Sequence, residues 1–160
     1  MIYKSILVPY DKTEPAFAAL AEAIRFCRES PDTELHIVTM IDVESEAERE
    51  LNRKSLRSRG HGINMDELET LREEVLLDEV IQARTTLRER LGELSNFVTI
   101  ETIPTGNVGE EIITYATDNA CDIIVMGSRG KGLLHSLGST SRYVMQYAPL
   151  PVLIVKTKKR

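Results

Sequence analysis

The strongest constraint on this chain is an alternation: short apolar runs rich in β-branched residues, separated by stretches with helical spacing. The runs are Ile6-Leu7-Val8, Leu35 to Met40, Ile123-Ile124-Val125 and Val152 to Val155, with a weaker one at Phe97 to Ile103. Near-continuous apolarity marks strands covered on both faces, the habit of parallel sheets. Between the first two runs, Phe17, Leu20, Ile24 and Cys27 form one helical face, and Pro15 suits the opening turn. A long second helix is expected from Met65-Asp66 to Gly92, with Leu76, Val80, Ala83, Leu87 and Leu91 as its stripe. A third is expected from about Gly109 to Asn119, turning Ile112, Ile113 and Ala116 inward, with Glu110 and Glu111 complementing the dipole of its first turn. The fourth opens at a Ser139 cap, uses Val144 and stops before Pro149. The order β-α-β-α-β-α-β-α-β predicts an α/β fold with right-handed crossovers and helices on both faces of a parallel sheet.

A length of 160 residues suits one domain spanning residues 1–160, large enough to bury its own core. Net charge of -5 with 28% charged residues argues against non-specific nucleic-acid binding, and the basic end at Lys156, Lys158, Lys159 and Arg160 is expected to be a solvated terminus. Cys27 and Cys121 are too few for a disulfide framework or a metal clip. Neither a signal-peptide apolar region nor a membrane-length apolar segment is found, so a cytoplasmic location without membrane contact is expected. Residues 44–64 are charged and include Arg57-Ser58-Arg59-Gly60-His61-Gly62, which predicts a mobile excursion between the second strand and the long helix.

In an open doubly wound sheet a ligand sits beyond the carboxyl ends of the strands, where strand order reverses. The residues just past the strands are Pro9, Tyr10 and Asp11, then Met40 and Asp42, then Gly106 to Gly109, then Met126 to Gly132. They offer an apolar wall, a carboxylate that accepts from ribose hydroxyls, and two glycine-rich turns for phosphates. The segment Met126-Gly127-Ser128-Arg129-Gly130-Lys131-Gly132, followed by Gly138-Ser139-Thr140-Ser141, is the sharpest of these. Glycines bring main-chain N–H groups close to an anion, and a helix starting at Ser139 aims its positive end at the same point. Glycine-rich strand-to-helix turns also serve packing alone, and the glycines by themselves leave both readings open. Asp11 and Asp42 are read as helix caps or as Mg2+ ligands through a nucleotide rather than as an acid/base pair. His36 reads as a satisfied sheet residue rather than a ligand, while His61 and His135 lack metal-ligand spacing, so no protein-held metal is expected.

Taken together, Ile6-Leu7-Val8-Pro9-Tyr10-Asp11, Thr105-Gly106-Asn107, Met126-Gly127-Ser128-Arg129-Gly130, Gly138-Ser139 and the ending Ala148 to Val155 resemble the universal stress protein family over nearly the whole chain. The resemblance implies an open five-stranded parallel sheet in the order 3-2-1-4-5 (the adenine nucleotide alpha hydrolase-like arrangement). It also implies a homodimer through the last strand, Val152–Val155, and ATP bound in one of the family's two main branches. Carried over, Pro9, Asp11 and Met40 contact adenine and ribose, and Met126 and Gly127 continue the wall. Gly130, Gly138, Ser139 and Thr140 hold the phosphates, with Lys131 as a point charge beside them and Mg2+ entering with the nucleotide.

Two departures stand out. ATP-binding members resemble Gly-x2-Gly-x9-Gly-Ser/Thr, whereas here Lys131 to Leu137 makes that spacer two residues shorter, and Val108 stands where the family usually has proline. The expected function is a nucleotide-binding stress or signalling protein with an unidentified partner. The alternative is a dimeric interaction protein whose cleft is empty. The first loop, Asp11-Lys12-Thr13, lacks the elements of related pyrophosphatases and nucleotidyl transferases, so at most weak ATP hydrolysis is expected.

Overall fold

The apolar runs become the strands β1 (Ser5–Pro9), β2 (Glu34–Ile41), β3 (Val98–Pro104), β4 (Ile123–Gly127) and β5 (Val152–Val155) in a computed structural model that describes residues 3–57, 64–128 and 137–157. All pairings are parallel and the order is β3-β2-β1-β4-β5. β1 is central because Ile6, Leu7 and Val8 have no exposed surface and can satisfy both faces. Side chains alternate across a strand. Ile6 and Val8 therefore enter one layer with Leu35, Ile37 and Val125, while Leu7 enters the other with Val38, Ile124 and Met126.

The first layer is closed by α1 (Glu14–Glu29) and by α3 (Met65–Leu91). Thr13 caps α1 by accepting from the Ala16 N–H, and Pro15 lies in the opening turn as its fixed φ favours. The limits of α3 coincide with the expected ones: Asn64 caps it, and Gly92 ends it at φ 55°, a conformation costly to any residue with a β-carbon. Ala83, Leu87 and Leu91 are buried under the sheet, while Leu76 and Val80 are only half-buried, because that part of α3 also serves a neighbouring helix. The second layer is closed by α4 (Val108–Asp118) and α5 (Ser139–Tyr147), around Ile112, Tyr115, Ala116 and Val144.

Two expectations need correction. The stretch from Glu44 is not irregular throughout, since Val43–Arg57 forms α2, a helix packed against α3; residues 58–63 of the expected excursion lie outside the described residues. Its sequence hid this because the segment is largely polar and charged. Glu44 pairs with Arg72 of α3 at 2.6 Å, Arg49 and Arg53 pair with Glu46 and Glu50 one turn back, and Ala47 is fully buried. The element order is therefore β-α-β-α-α-β-α-β-α-β. The second correction is the start of α5. Gly138, in an extended conformation, is the capping position and Ser139 is the first helical residue, without a side-chain capping bond.

Candidate functional site

β1 sends the chain to β2 and β3 on one side, and β4 returns on the other, so the strand order reverses between β1 and β4. A cavity of about 320 Å³ opens there, at the carboxyl ends. Pro9 and Asp11 enter it from the end of β1, Val38 and Met40 from β2, and Met126 and Gly127 from β4. Gly138, Ser139 and Thr140 close it from the start of α5. Eight of the ten residues named from the sequence are thus brought together; the other two, Gly130 and Lys131, lie outside the described residues.

The wall also holds residues the sequence reading did not name as contacts, above all Val108 and Ile112 of α4, and Val38 of β2. Val108 and Ile112 are four apart and share a helical face, a signal available in the sequence once Ile112 was placed inward. The Gly106 to Gly109 turn, expected as a second phosphate cradle, contributes Val108 alone to the cavity lining. Its local work is to start α4: Asn107 accepts from the Glu110 N–H and donates to the Glu110 carboxylate.

Asp11 is half committed. Its Oδ1 accepts from the Thr13 N–H at 3.1 Å and from the Thr13 hydroxyl, an Asx turn that leads into the α1 cap, while Oδ2 has no hydrogen bond among the described residues. Asp42 lies outside this cavity. It caps the first turn of α2, accepting from the Ser45 N–H at 3.1 Å and from its hydroxyl at 2.8 Å, and these bonds hold its carboxyl below the usual range.

The glycine question resolves residue by residue. A β-carbon on Gly127 would lie 2.6 Å from both the carbonyl carbon and the Cβ of Pro15, so this glycine is required for α1 to seat its first turn against the end of β4. That is packing. The opening of α5 is different, because two bonds fasten it to β4: the Gly138 N–H donates to the Ser128 carbonyl at 2.9 Å, and the buried Ser141 hydroxyl donates to the Gly127 carbonyl at 2.9 Å. The first N–H that bonds back to Gly138 is that of Arg142, at 2.9 Å, which leaves the earlier N–H groups of Ser139 and Thr140 without an intrahelical acceptor at the cavity rim. A helix start of this kind favours an anion.

A wider cleft of about 690 Å³ shares Tyr10, Asp11 and Met40 with the first and runs between α2 and α3, bordered by Asp42, Glu46, Glu50, Glu74 and Asp78. Elsewhere, His36 is a buried sheet residue whose Nδ1 lies 3.1 Å from the Tyr115 hydroxyl, which in turn donates to Glu101 at 2.9 Å. Its Nε2 is buried without a hydrogen bond, so the expected satisfaction of His36 within the sheet holds for one ring nitrogen and not for the other. Both cysteines are free and buried; burial pushes the Cys27 thiol up to about 11 and raises Cys121 as well. Among the described residues no group of three or more His, Cys, Asp or Glu is placed to hold a metal, and no helix is long and apolar enough to cross a membrane.

Residues 2–156 match the model of the Universal stress protein family. Universal stress protein MJ0577 of Methanocaldococcus jannaschii is 31% identical over 160 residues, covering 99% of this chain and 98% of that protein. The solved MJ0577 structure is similar with a TM-score of 0.74 at 28% identity, over 100% of both chains. UspA from Lactobacillus plantarum follows at 0.72 and 26%, over 97% of this chain and 99% of that one. A universal stress protein from Archaeoglobus fulgidus solved in complex with dAMP shares the fold at a TM-score of 0.55 and 22% identity, over 98% of this chain and 100% of that one. With a parallel sheet ordered β3-β2-β1-β4-β5 and sequence similarity running almost from end to end, this chain belongs to the universal stress protein family.

Proposed function

We propose that this protein binds an adenine nucleotide, ATP with Mg2+ carried on its phosphates, in the cavity between β1 and β4, and that occupancy alters a surface read by a signalling partner. The supporting observation is the convergence of three kinds of group on one cavity. Pro9, Met40, Val108 and Met126 give an apolar wall for a base, Asp11 gives a carboxylate oxygen for ribose, and the start of α5 gives N–H groups for phosphate. In this reading the protein is a receptor for the nucleotide, with weak hydrolysis at most. The complex of a related fold with dAMP is in line with it. A homodimer through β5 belongs to the same proposal, since β5 is an open edge whose residues are all half-buried and a second copy would cover it.

Calorimetric titration of ATP with Mg2+ into the parent and into Gly138→Val tests the site. The parent is expected to bind, and the variant to bind far more weakly, because a branched side chain at the cap obstructs approach to the α5 N–H groups. At ligand a hundredfold above Kd the parent gains about 2.7 kcal/mol, which raises its melting temperature by roughly 5–11 °C at this chain length. No heat and no thermal shift at millimolar ATP would overturn the proposal in favour of an interaction protein with an empty cleft. The shortened Gly130 to Gly138 spacer is the feature that supports that second reading.

A further inference from the structure

Lys12 sits between two residues with assigned work, Asp11 at the cavity and Thr13 at the cap of α1, and it is one of two non-glycine residues in the left-handed region among the described residues, with φ 64°. A lysine has no intrinsic preference for that conformation, so something must hold it there. The side chain supplies the restraint. Its Nζ lies 2.7 Å from the Glu79 carboxylate and 3.2 Å from Oε1 of Gln82, two groups one turn apart on α3. Both ends of the ion pair are largely shielded, with 33% and 21% of their side chains exposed, so salt screens it less than a surface pair. On the other side, Thr13 ties the same turn to α1: its N–H and hydroxyl donate to Asp11 Oδ1, and its carbonyl accepts from Phe17. The turn that carries Asp11 is therefore fastened at one end to α1 and at the other to α3.

We infer that Lys12 is a positioning residue: its bridge to Glu79 and Gln82 holds the β1–α1 turn in the left-handed conformation that presents the free oxygen of Asp11 to the ligand. α3 thereby acts on ribose recognition from outside the cavity. The part of this inference that concerns affinity rests on the proposed function, while the part that concerns the turn does not. Loss of the bridge lets the turn relax, and the cost falls on the one contact made by Asp11. An analogue without ribose hydroxyls gains nothing from Asp11 and loses nothing with the bridge.

Four variants test this: Glu79→Ala, which removes the charged acceptor at a helical position where alanine is favourable; Lys12→Gly, which removes the tether and relieves the backbone; Asp11→Asn; and Asp11→Asn combined with Glu79→Ala. Amide hydrogen exchange of the ligand-free protein reads the turn itself. Exchange at the Thr13 N–H, which donates to Asp11 Oδ1, is expected to quicken about tenfold or more in Glu79→Ala, with the centre of β1 unchanged. Unchanged exchange at the turn would overturn the tether, whether or not the protein binds ATP. Calorimetry then reads the coupling. Glu79→Ala is expected to weaken ATP about tenfold, the scale of one charged hydrogen bond, with little effect on 2′,3′-dideoxy-ATP and no further loss in the Asp11→Asn background, and Lys12→Gly, which takes the left-handed conformation without a restraint, is expected to weaken it less. Additive losses, or equal losses for the dideoxy analogue, would overturn the positioning role. Failure of the parent to bind ATP at all would sink the proposed function and is separable from both, since the exchange result stands without ligand.

Discussion

Gly127→Ala isolates the close approach on which the site is built. The added β-carbon would lie 2.6 Å from the carbonyl carbon and Cβ of Pro15 and 2.7 Å from its carbonyl oxygen, about 0.8 Å inside ordinary contact at the nearest atoms. None of these atoms can swing away, because they belong to a helical backbone and a proline ring. β4 cannot retreat either: Gly127 is paired with Val155, its carbonyl accepts from Ser141, and neighbouring Val125 has no exposed surface. The first turn of α1 must lift instead. Overpacking typically costs about 1–3 kcal/mol, and a clash against rigid atoms belongs at the upper end, about 3 kcal/mol. At this chain length that lowers the melting temperature by roughly 6–12 °C. Urea denaturation and thermal melting measure both quantities. Gly106→Ala serves as the control, because a β-carbon there meets nothing within 4 Å and the change is expected to stay within about 0.5 kcal/mol. If Gly127→Ala melts within about 2 °C of the parent, the seating of α1 on β4 is not what this glycine is for. The Asp11–Thr13 turn moves with α1, so nucleotide affinity is expected to fall in the same variant.

Two further outcomes follow from burial and from the open edge. Cys27 is fully buried and its thiol is pushed up to about 11, whereas in the unfolded chain it ionises near about 8.5; the folded state thus favours the neutral thiol, and the associated stability is full below that lower value and is lost as pH rises toward 11. Urea curves across that alkaline window are expected to show a shallower decline in Cys27→Ala, and a slope equal to the parent's would refute the assignment. At β5, the carbonyls of Pro151 and Val155 accept from the Ile124 and Ser128 N–H groups, so by the alternation of a parallel ladder the N–H groups of Val152 and Ile154 face the open edge. Ile154→Pro keeps the bonds to β4 and blocks edge pairing; sedimentation is expected to give a folded monomer, and a dimer of unchanged affinity would count against β5 as the interface.

What the sequence determined by itself is what local order can report. Val152–Val155 and the Met65 start and Gly92 end of α3 were legible because buried strands need unbroken apolarity and helix ends need particular caps and backbone angles. The alternation of elements then limited the sheet to few topologies, and most of the residues named as contacts beyond its carboxyl ends line one cavity. α2 was not legible, because Val43–Arg57 is largely polar and charged, buries one alanine fully among its described side chains, and packs on a surface, α3, that local sequence does not contain. The packing role of Gly127, the cap at Gly138 rather than Ser139, and the left-handed Lys12 are decided in the same way by partners distant in the chain or set by the approach of a neighbouring element. Periodicity reports which side of an element meets an apolar environment. Which element supplies that environment, and how closely it comes, is fixed only when the crossovers have brought β1, β4, α1, α3 and α5 to the same end of the sheet.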